Sequence, residues 1–254
     1  MVINVWADWA VAVFLLSARL SSVLTFAPPF SMLNAPLRVR VLLAVGLSAC
    51  LVSSGPVPDL IGMATGALVQ SLCIELAIGL VMVFALQAAF GSLYFIGRVM
   101  DVQAGFGLAM IIDPATKGQS PLFGTLLALA AGMVFFSVNG HHDFLRLFAG
   151  LYDALPVGSL SVQMMPERAI AYMGTVFGLA LAAGAAVLIV LFLLDIGIAF
   201  MSRTLPQMNV LLFGLQIKTV TSLLVLAACF GLLSPVLLRI QQTALRFIAE
   251  VFAQ

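Results

Sequence analysis

Only ten residues of this chain are acidic, and four of them stand where proton or ion chemistry has to be considered. Glu75 and Asp195 lie in or at the end of long apolar runs, the setting of proton-carrying carboxylates. Asp101 and Asp113 flank the oily centre of "GRVMDVQAGFGLAMIIDPATKGQSP" and can be imagined as an intramembrane acid pair. Each instead falls in a Gly- or Pro-punctuated stretch, which argues against that pairing. His141-His142-Asp143 has the residue types of a metal site, yet adjacent histidines on a helix start rarely reach one ion. No cysteine or carboxylate partner stands at a recognisable spacing, so Asn139 to Asp143 reads as a helix cap. Gly105 and Gly107 do not continue into a dinucleotide fingerprint, and no HExxH, GxSxG or phosphate-binding loop occurs. The sequence offers no catalytic constellation, no metal centre and no cofactor site.

What positions these residues is an oily framework. The chain has 254 residues, 63% of them hydrophobic and 8% charged. Soluble domains average about 45–50% apolar residues. A mean hydropathy of +1.20 leaves too little polar surface to cover the molecule, so much of it must meet lipid or partner proteins. A net charge of +1 gives no basic patch for nucleic acid. Cys50, Cys73 and Cys229 each sit inside an apolar run and are expected as small buried hydrophobes. No basic region precedes the first apolar run, and Asp8 is the one charge before Arg19, so an uncleaved first membrane segment is expected.

Apolar runs extend from Trp9 to Ala27, Val39 to Val52, Leu60 to Ile96, Leu122 to Val138, Ala169 to Leu194 and Thr219 to Leu238. Pro28-Pro29 stops the first, and Pro235 bends or ends the last. About 20 residues suffice to cross a bilayer, so roughly six spans are expected, or roughly seven if Leu60–Ile96 turns at Glu75. Lys and Arg do not settle the orientation, because the six-span count puts six on one side and four on the other. Two further segments are amphipathic. Phe144, Leu147, Phe148, Leu151 and Leu155 recur at helical spacing, as do Leu237, Leu245, Ile248 and Phe252 opposite Arg239, Gln242, Arg246 and Glu250.

A charge at mid-bilayer costs at least about 2.5–3.5 kcal/mol, so Arg19 either snorkels to the headgroups or faces protein. Glu75 cannot reach as far, and either marks a helical hairpin or points into a packed assembly. Gly62 with Gly66 and Gly174 with Gly178 have the spacing of close helix packing. A proton-coupled secondary transporter using Glu75 and Asp195 is the alternative, but Pro28-Pro29 and Pro235 do not occupy matching places in two halves.

"SARLSSVLTFAPPF", "APLRVRVLLA", "GRVMDVQAGFGLAMIIDP", "FFSVNGHHDFLRLF", "ALPVGS" and "DIGIAFMSRTLPQMNVLLFGLQIK" follow one another over nearly the whole chain. In this order they resemble the FliR/SctT family of type III secretion export-gate proteins, and "NGHHDFL" with "RTLPQMNV" is similar to the flagellar branch. The resemblance implies an all-α membrane protein built as a fusion of a FliP-like part, roughly residues 1–165, and a FliQ-like hairpin, roughly 166–254, in one export-gate domain. It implies a place in the bacterial inner membrane and flagellar basal body, with FliP-like, FliQ-like and FlhB-like subunits as partners and unfolded flagellar proteins as cargo. The driving energy would come from elsewhere, by analogy the proton-motive force and a cytoplasmic ATPase. It also implies a plug in the gate's lumen, formed by Gly105, Phe106, Gly107, Leu108, Met110, Ile111, Ile112, Asp113 and Pro114. Read without the family, the same stretch is a plain connecting or re-entrant loop. Deleting Gly105–Asp113 is expected to leave the protein assembled but leaky. Arg19, Glu75, Asp195 and Arg203 are expected as buried polar contacts between helices.

Overall fold

The structure, a computed structural model, describes residues 2–55, 65–106, 121–158, 166–204 and 210–252. Among these residues there is no strand. The described residues form seven α-helices in order: α1 Val2–Phe26, α2 Leu37–Ser54, α3 Thr65–Ala104, α4 Leu122–Ser137, α5 Gly140–Ala154, α6 Pro166–Thr204 and α7 Val210–Phe252. A short 3-10 turn, Phe30–Met32, lies between α1 and α2.

The helix ends follow from local chemistry. Pro28 and Pro29 lack the N–H that would continue α1. Pro36 immediately precedes α2, and Pro166 opens α6 at the position where a missing N–H does no harm. Pro235 neither ends nor replaces a turn of α7, which runs on to Phe252. Among the described residues five helices are long and apolar enough to cross a membrane, or up to six if α4 and α5, bent by 71°, form one broken span. Cys50 of α2 and Cys73 of α3 are exposed in the single chain rather than buried, and Cys229 of α7 is half-buried. The bend falls at Asn139, a left-handed residue with φ 59° that breaks the helix without making a side-chain cap bond. The capping expected of Asn139 is therefore made by its backbone: its carbonyl accepts the amides of His142 and Asp143.

Leu60–Ile96 does not turn at Glu75. From Thr65 it is one helix of 40 residues, roughly 60 Å at a rise of about 1.5 Å per residue. A hydrocarbon layer is about 30 Å thick, so α3 extends well beyond one.

Two compact units, interleaved along the sequence, make up the chain. The first comprises Met1–Ala88, Phe135–Tyr172 and Gln241–Gln254. Here α1 turns Ala12, Leu15, Leu16, Leu20 and Val23 inward, a stripe at helical spacing. Gly79 of α3 lets that helix approach α1 closely, since a Cβ there would stand 2.7 Å from the Arg19 carbonyl oxygen. Arg40 of α2 donates to the carbonyls of Thr25, Ser31 and Leu33, satisfying chain ends that no helix partner reaches. Phe144, Phe148 and Leu151 of α5 are buried, as the periodicity predicts, and Phe30 packs edge-on against Phe135 and tilted against Phe144. Tyr172 stacks on Phe247 at 4.2 Å while its hydroxyl donates to the Ala85 carbonyl.

The second unit comprises Ala89–Val134 and Met173–Ile240. Its tightest crossing is Gly97 of α3 on Gly124 of α4. A Cβ on Gly97 would lie 2.6 Å from the Phe123 carbonyl carbon, and one on Gly124 would lie 2.9 Å from the Tyr94 oxygen. The pairs expected from spacing alone behave differently: a Cβ added at Gly66, Gly174 or Gly178 would meet nothing within 4 Å, and Gly62 lies outside the described residues. An apolar groove of about 1040 Å³ opens between α4 and α7, lined by Leu126, Leu129, Met133, Leu223, Leu226 and Phe230 among others.

Candidate functional site

The stretch "GRVMDVQAGFG" ends α3, and its chemistry is that of a helix terminus. Gly105 has φ 94°, a left-handed backbone that glycine adopts without penalty. Its amide bonds to Val102 O at 3.2 Å and the Phe106 amide bonds to Asp101 O at 3.0 Å. This paired pattern closes a helix with glycine just past its end. Thr219 of α7 donates its hydroxyl to the Ala104 carbonyl at 3.4 Å, and a Cβ on Gly105 would collide with Leu215 of the same helix. Gly105 and Phe106, the first two residues of the expected plug, thus belong to a built helix end. Gly107, Leu108, Met110, Ile111, Ile112, Asp113 and Pro114 lie outside the described residues.

The chain re-enters at Pro121, and α4 starts at Leu122. Proline has no side-chain acceptor to cap the first amides of a helix. Asp101 supplies one from α3: its carboxylate accepts the Phe123 N–H at 3.2 Å and faces the neighbouring amides of Leu122 and Gly124. The Asp101 side chain is buried, and its second oxygen has no hydrogen-bond partner among the described residues. The rings of Phe106 and Phe123 meet edge to face at 5.9 Å beside it.

The other buried charges lie in the first unit. Arg19 Nε donates to Glu75 Oε2 at 2.6 Å, and neither side chain has any exposed surface. Arg19 therefore does not snorkel. Glu75 Oε1 accepts the Gly158 N–H at 3.0 Å, which ties "ALPVGS" to α3. Gly158 has φ 80°, and a Cβ on it would come within 2.7 Å of Ser71 Oγ. Both Arg19 terminal nitrogens are buried and find no hydrogen-bond partner among the described residues.

Asp195 and Arg203 are placed differently. Asp195 pairs with Lys218 of α7, yet its side chain is 46% exposed. Arg203 is exposed near the end of α6. The burial expected of these two is not seen in the single chain, because both lie on outward faces of a helix whose large apolar residues, Phe192, Leu193 and Phe200 among them, are also exposed. Sequence reasoning misses Lys218 as the partner of Asp195. The signal is there: Asp195 and Lys218 are equally far from Pro206-Gln207, as antiparallel neighbours must be. Asp101 as a cap for α4 carries no local signal, since donor and acceptor are 22 residues apart. Among the described residues no group of three His, Cys, Asp or Glu side chains converges as metal ligands would.

The flagellar biosynthetic protein FliR of Escherichia coli is 24% identical over 98% of this chain and 95% of its own length. FliR of Bacillus subtilis is 34% identical over 64% of this chain and 61% of its own length. The Yop proteins translocation protein T of Yersinia pestis is 29% identical over 63% of each chain. A family model described as bacterial export proteins, family 1, matches residues 10–244. A match of that extent reaches into every helix described above, and the chain belongs to the bacterial export proteins, family 1.

Proposed function

We propose that this chain is a non-catalytic structural and gating subunit of the flagellar type III export channel, passing unfolded flagellar subunits across the bacterial inner membrane. The family match over residues 10–244, with a flagellar relative aligned over nearly its whole length, carries this reading. The exposed apolar faces agree with it. Leu42, Phe177, Leu193, Phe200, Leu224 and Leu232 all stand open in the single chain, and such surface needs lipid or partner helices to cover it. FliP-like and FliQ-like subunits and an FlhB-like subunit are the partners we assign, with residues 1–165 as the FliP-like part and 166–254 as the FliQ-like hairpin. The relatives named above are flagellar and translocation proteins, which leaves the proton-coupled transporter without support.

Within this reading the plug is the stretch from Gly105 to Pro114, with Phe106, Leu108, Met110, Ile111 and Ile112 as its apolar side. Its sequence supports the assignment. Leu108, Met110, Ile111 and Ile112 make the stretch between Gly107 and Pro114 oily, and Pro114 restricts Asp113 before it, a composition suited to sealing against ions by packing.

Mild detergent extraction from the native host, followed by native mass spectrometry, tests the assembly. A hetero-oligomer containing two other small hydrophobic proteins is expected; a monomer or homodimer would overturn the reading. Deletion of Gly107–Asp113, which spares the helix end at Gly105, tests the plug. The deleted protein should co-purify with its companions and leak small ions, and an unchanged leak would remove the plug assignment.

A further inference from the structure

We propose that the α1–α2 hairpin is a lipid-facing edge of the chain. The outer side of α2 lies against acyl chains, and its Arg38 end stands at the headgroups of the cytoplasmic leaflet. This is separate from the export reading, since it depends only on how α1 and α2 are built. The buried residues of α2 are Ala44, Ser48 and Val52, one per turn on the strip that packs against α1. Val39, Leu42, Leu43 and Val45 stand open around the rest of the helix, Leu42 with 70% of its surface exposed. A helix that is apolar on every side and packs on one neighbour must be covered by lipid or by another protein. Close helix crossings in membranes use small residues, and Ala44 and Ser48 are already turned towards α1. The outward side carries mainly branched side chains, with Gly46 and Cys50 among them.

The two ends of the hairpin decide between lipid and protein. At one end Trp6 and Trp9 form an edge-on pair, Trp6 is largely exposed, and the Trp9 indole N–H donates to Ser53 Oγ at 3.1 Å. Tryptophans gather where acyl chains give way to headgroups. At the other end Arg38 is exposed, while Arg40 donates to the carbonyls of Thr25, Ser31 and Leu33 and ties the turn together. An exposed guanidinium at the end of an apolar helix matches a headgroup phosphate in charge and in depth. Between these ends the 18 residues of α2 rise roughly 27 Å, close to a hydrocarbon layer of about 30 Å. The helices α3, α6 and α7, with 40, 39 and 43 residues, all overshoot that layer. Orientation follows from the same charges. No Lys or Arg stands before Arg19 or between Arg40 and Arg98, and Arg19 is buried against Glu75. Arg38 and Arg40 are thus the cations that flank the hairpin, which puts residues 27–36 on the cytoplasmic side and the Trp6 end on the other.

The test uses the assembled complex in vesicles of phosphatidylethanolamine and phosphatidylglycerol. One environment-sensitive fluorophore is attached at Leu42→Cys in a chain whose three cysteines are changed to serine. A second chain carries it at native Cys50, with Cys73 and Cys229 changed. The complex with the cysteine-free chain is the blank. Bromine on the acyl chains should quench both labels, and iodide in the water should quench neither. Bromine quenching of the isolated chain that is lost in the complex would mean that a companion subunit covers α2, and the lipid assignment would fall. Quenching by iodide would place the face against water and overturn it as well. Either label decides alone if the other hinders co-purification; if both prevent assembly, the face is packed against protein and the proposal fails. Orientation is read with a membrane-impermeant maleimide on Asn34→Cys, in the exposed turn, and on Ser54→Cys, at the Trp9 end. Asn34→Cys should react in inverted inner-membrane vesicles and Ser54→Cys in spheroplasts; the opposite pattern would overturn the orientation. Neither result touches the export reading, because lipid contact is scored without cargo.

Discussion

Glu75 sits at the centre of a three-part contact in which its two oxygens do different work: Oε2 takes the Arg19 Nε at 2.6 Å and Oε1 takes the Gly158 amide at 3.0 Å. Both side chains are fully buried, so each compensates a charge that would otherwise stand alone. Removing one partner of such a pair costs about 3–5 kcal/mol, more than the pair itself contributes against an apolar replacement. Arg19→Met and Glu75→Leu should each lower the midpoint of thermal unfolding in detergent strongly. The double variant should recover part of that loss. Equal additive losses, measured as a double-mutant cycle, would show that the two charges do not depend on each other.

Gly158 offers a separate check on the same contact. Alanine there meets Ser71 and a left-handed backbone, while Ser71→Ala alone relieves neither the φ of 80° nor the bond to Glu75. Gly158→Ala should therefore destabilise by about 1 kcal/mol or more, the scale of a non-glycine residue forced into that region. Proteolysis of the segment after α5 reads the effect directly, and unchanged protection would refute it.

Helix packing in the second unit makes the next prediction. Gly97→Val or Gly124→Val places side-chain atoms where backbone already stands, so either should prevent α3 and α4 from closing and lower the yield of folded protein. Gly174→Ala and Gly178→Ala meet nothing within 4 Å and should leave the chain's own stability unchanged or raise it by about 0.5–1 kcal/mol, the helix preference of alanine over glycine. Fluorescence-detected gel filtration of the four variants separates the two pairs. Loss of monodispersity in the second pair would move the close crossing to α6.

That contrast shows what the sequence could tell. Run lengths located every described helix of the membrane class, and the period of Phe144, Phe148 and Leu151 named the face of α5 that is buried. Glycine spacing failed, because GxxxG describes one helix while close approach requires a small residue on each of two. Gly97 and Gly124 come from different helices and share no local pattern. The same limit hid Asp101 and Lys218. A charge in an oily run shows that a partner is needed, but the partner's identity depends on which helices are neighbours. Arg19 and Glu75, 56 positions apart, become a pair only once α1 and α3 are packed.

Asp195 and Lys218 provide the last prediction, because their pairing fixes the register of α6 on α7. The two residues close the apolar stretches 169–194 and 219–238, and Gly214 faces Ile198 on the side towards 205–209, consistent with one antiparallel register. With Asp195 46% exposed, the pair contributes at most about 1 kcal/mol, so single alanines should fold. Charge reversal is more informative. Asp195→Lys places two cations together at the edge of apolar helices, and Lys218→Asp places two anions there; both should reduce assembly into the larger complex. Combining Asp195→Lys with Lys218→Asp restores opposite charges at the same register and should recover it. Co-purification of companion subunits measures this in one experiment. Failure of the double reversal to recover, with the single alanines normal, would mean that one of the two charges is read by something outside the chain. Asp195, the more exposed of the pair, would then be the residue to cross-link.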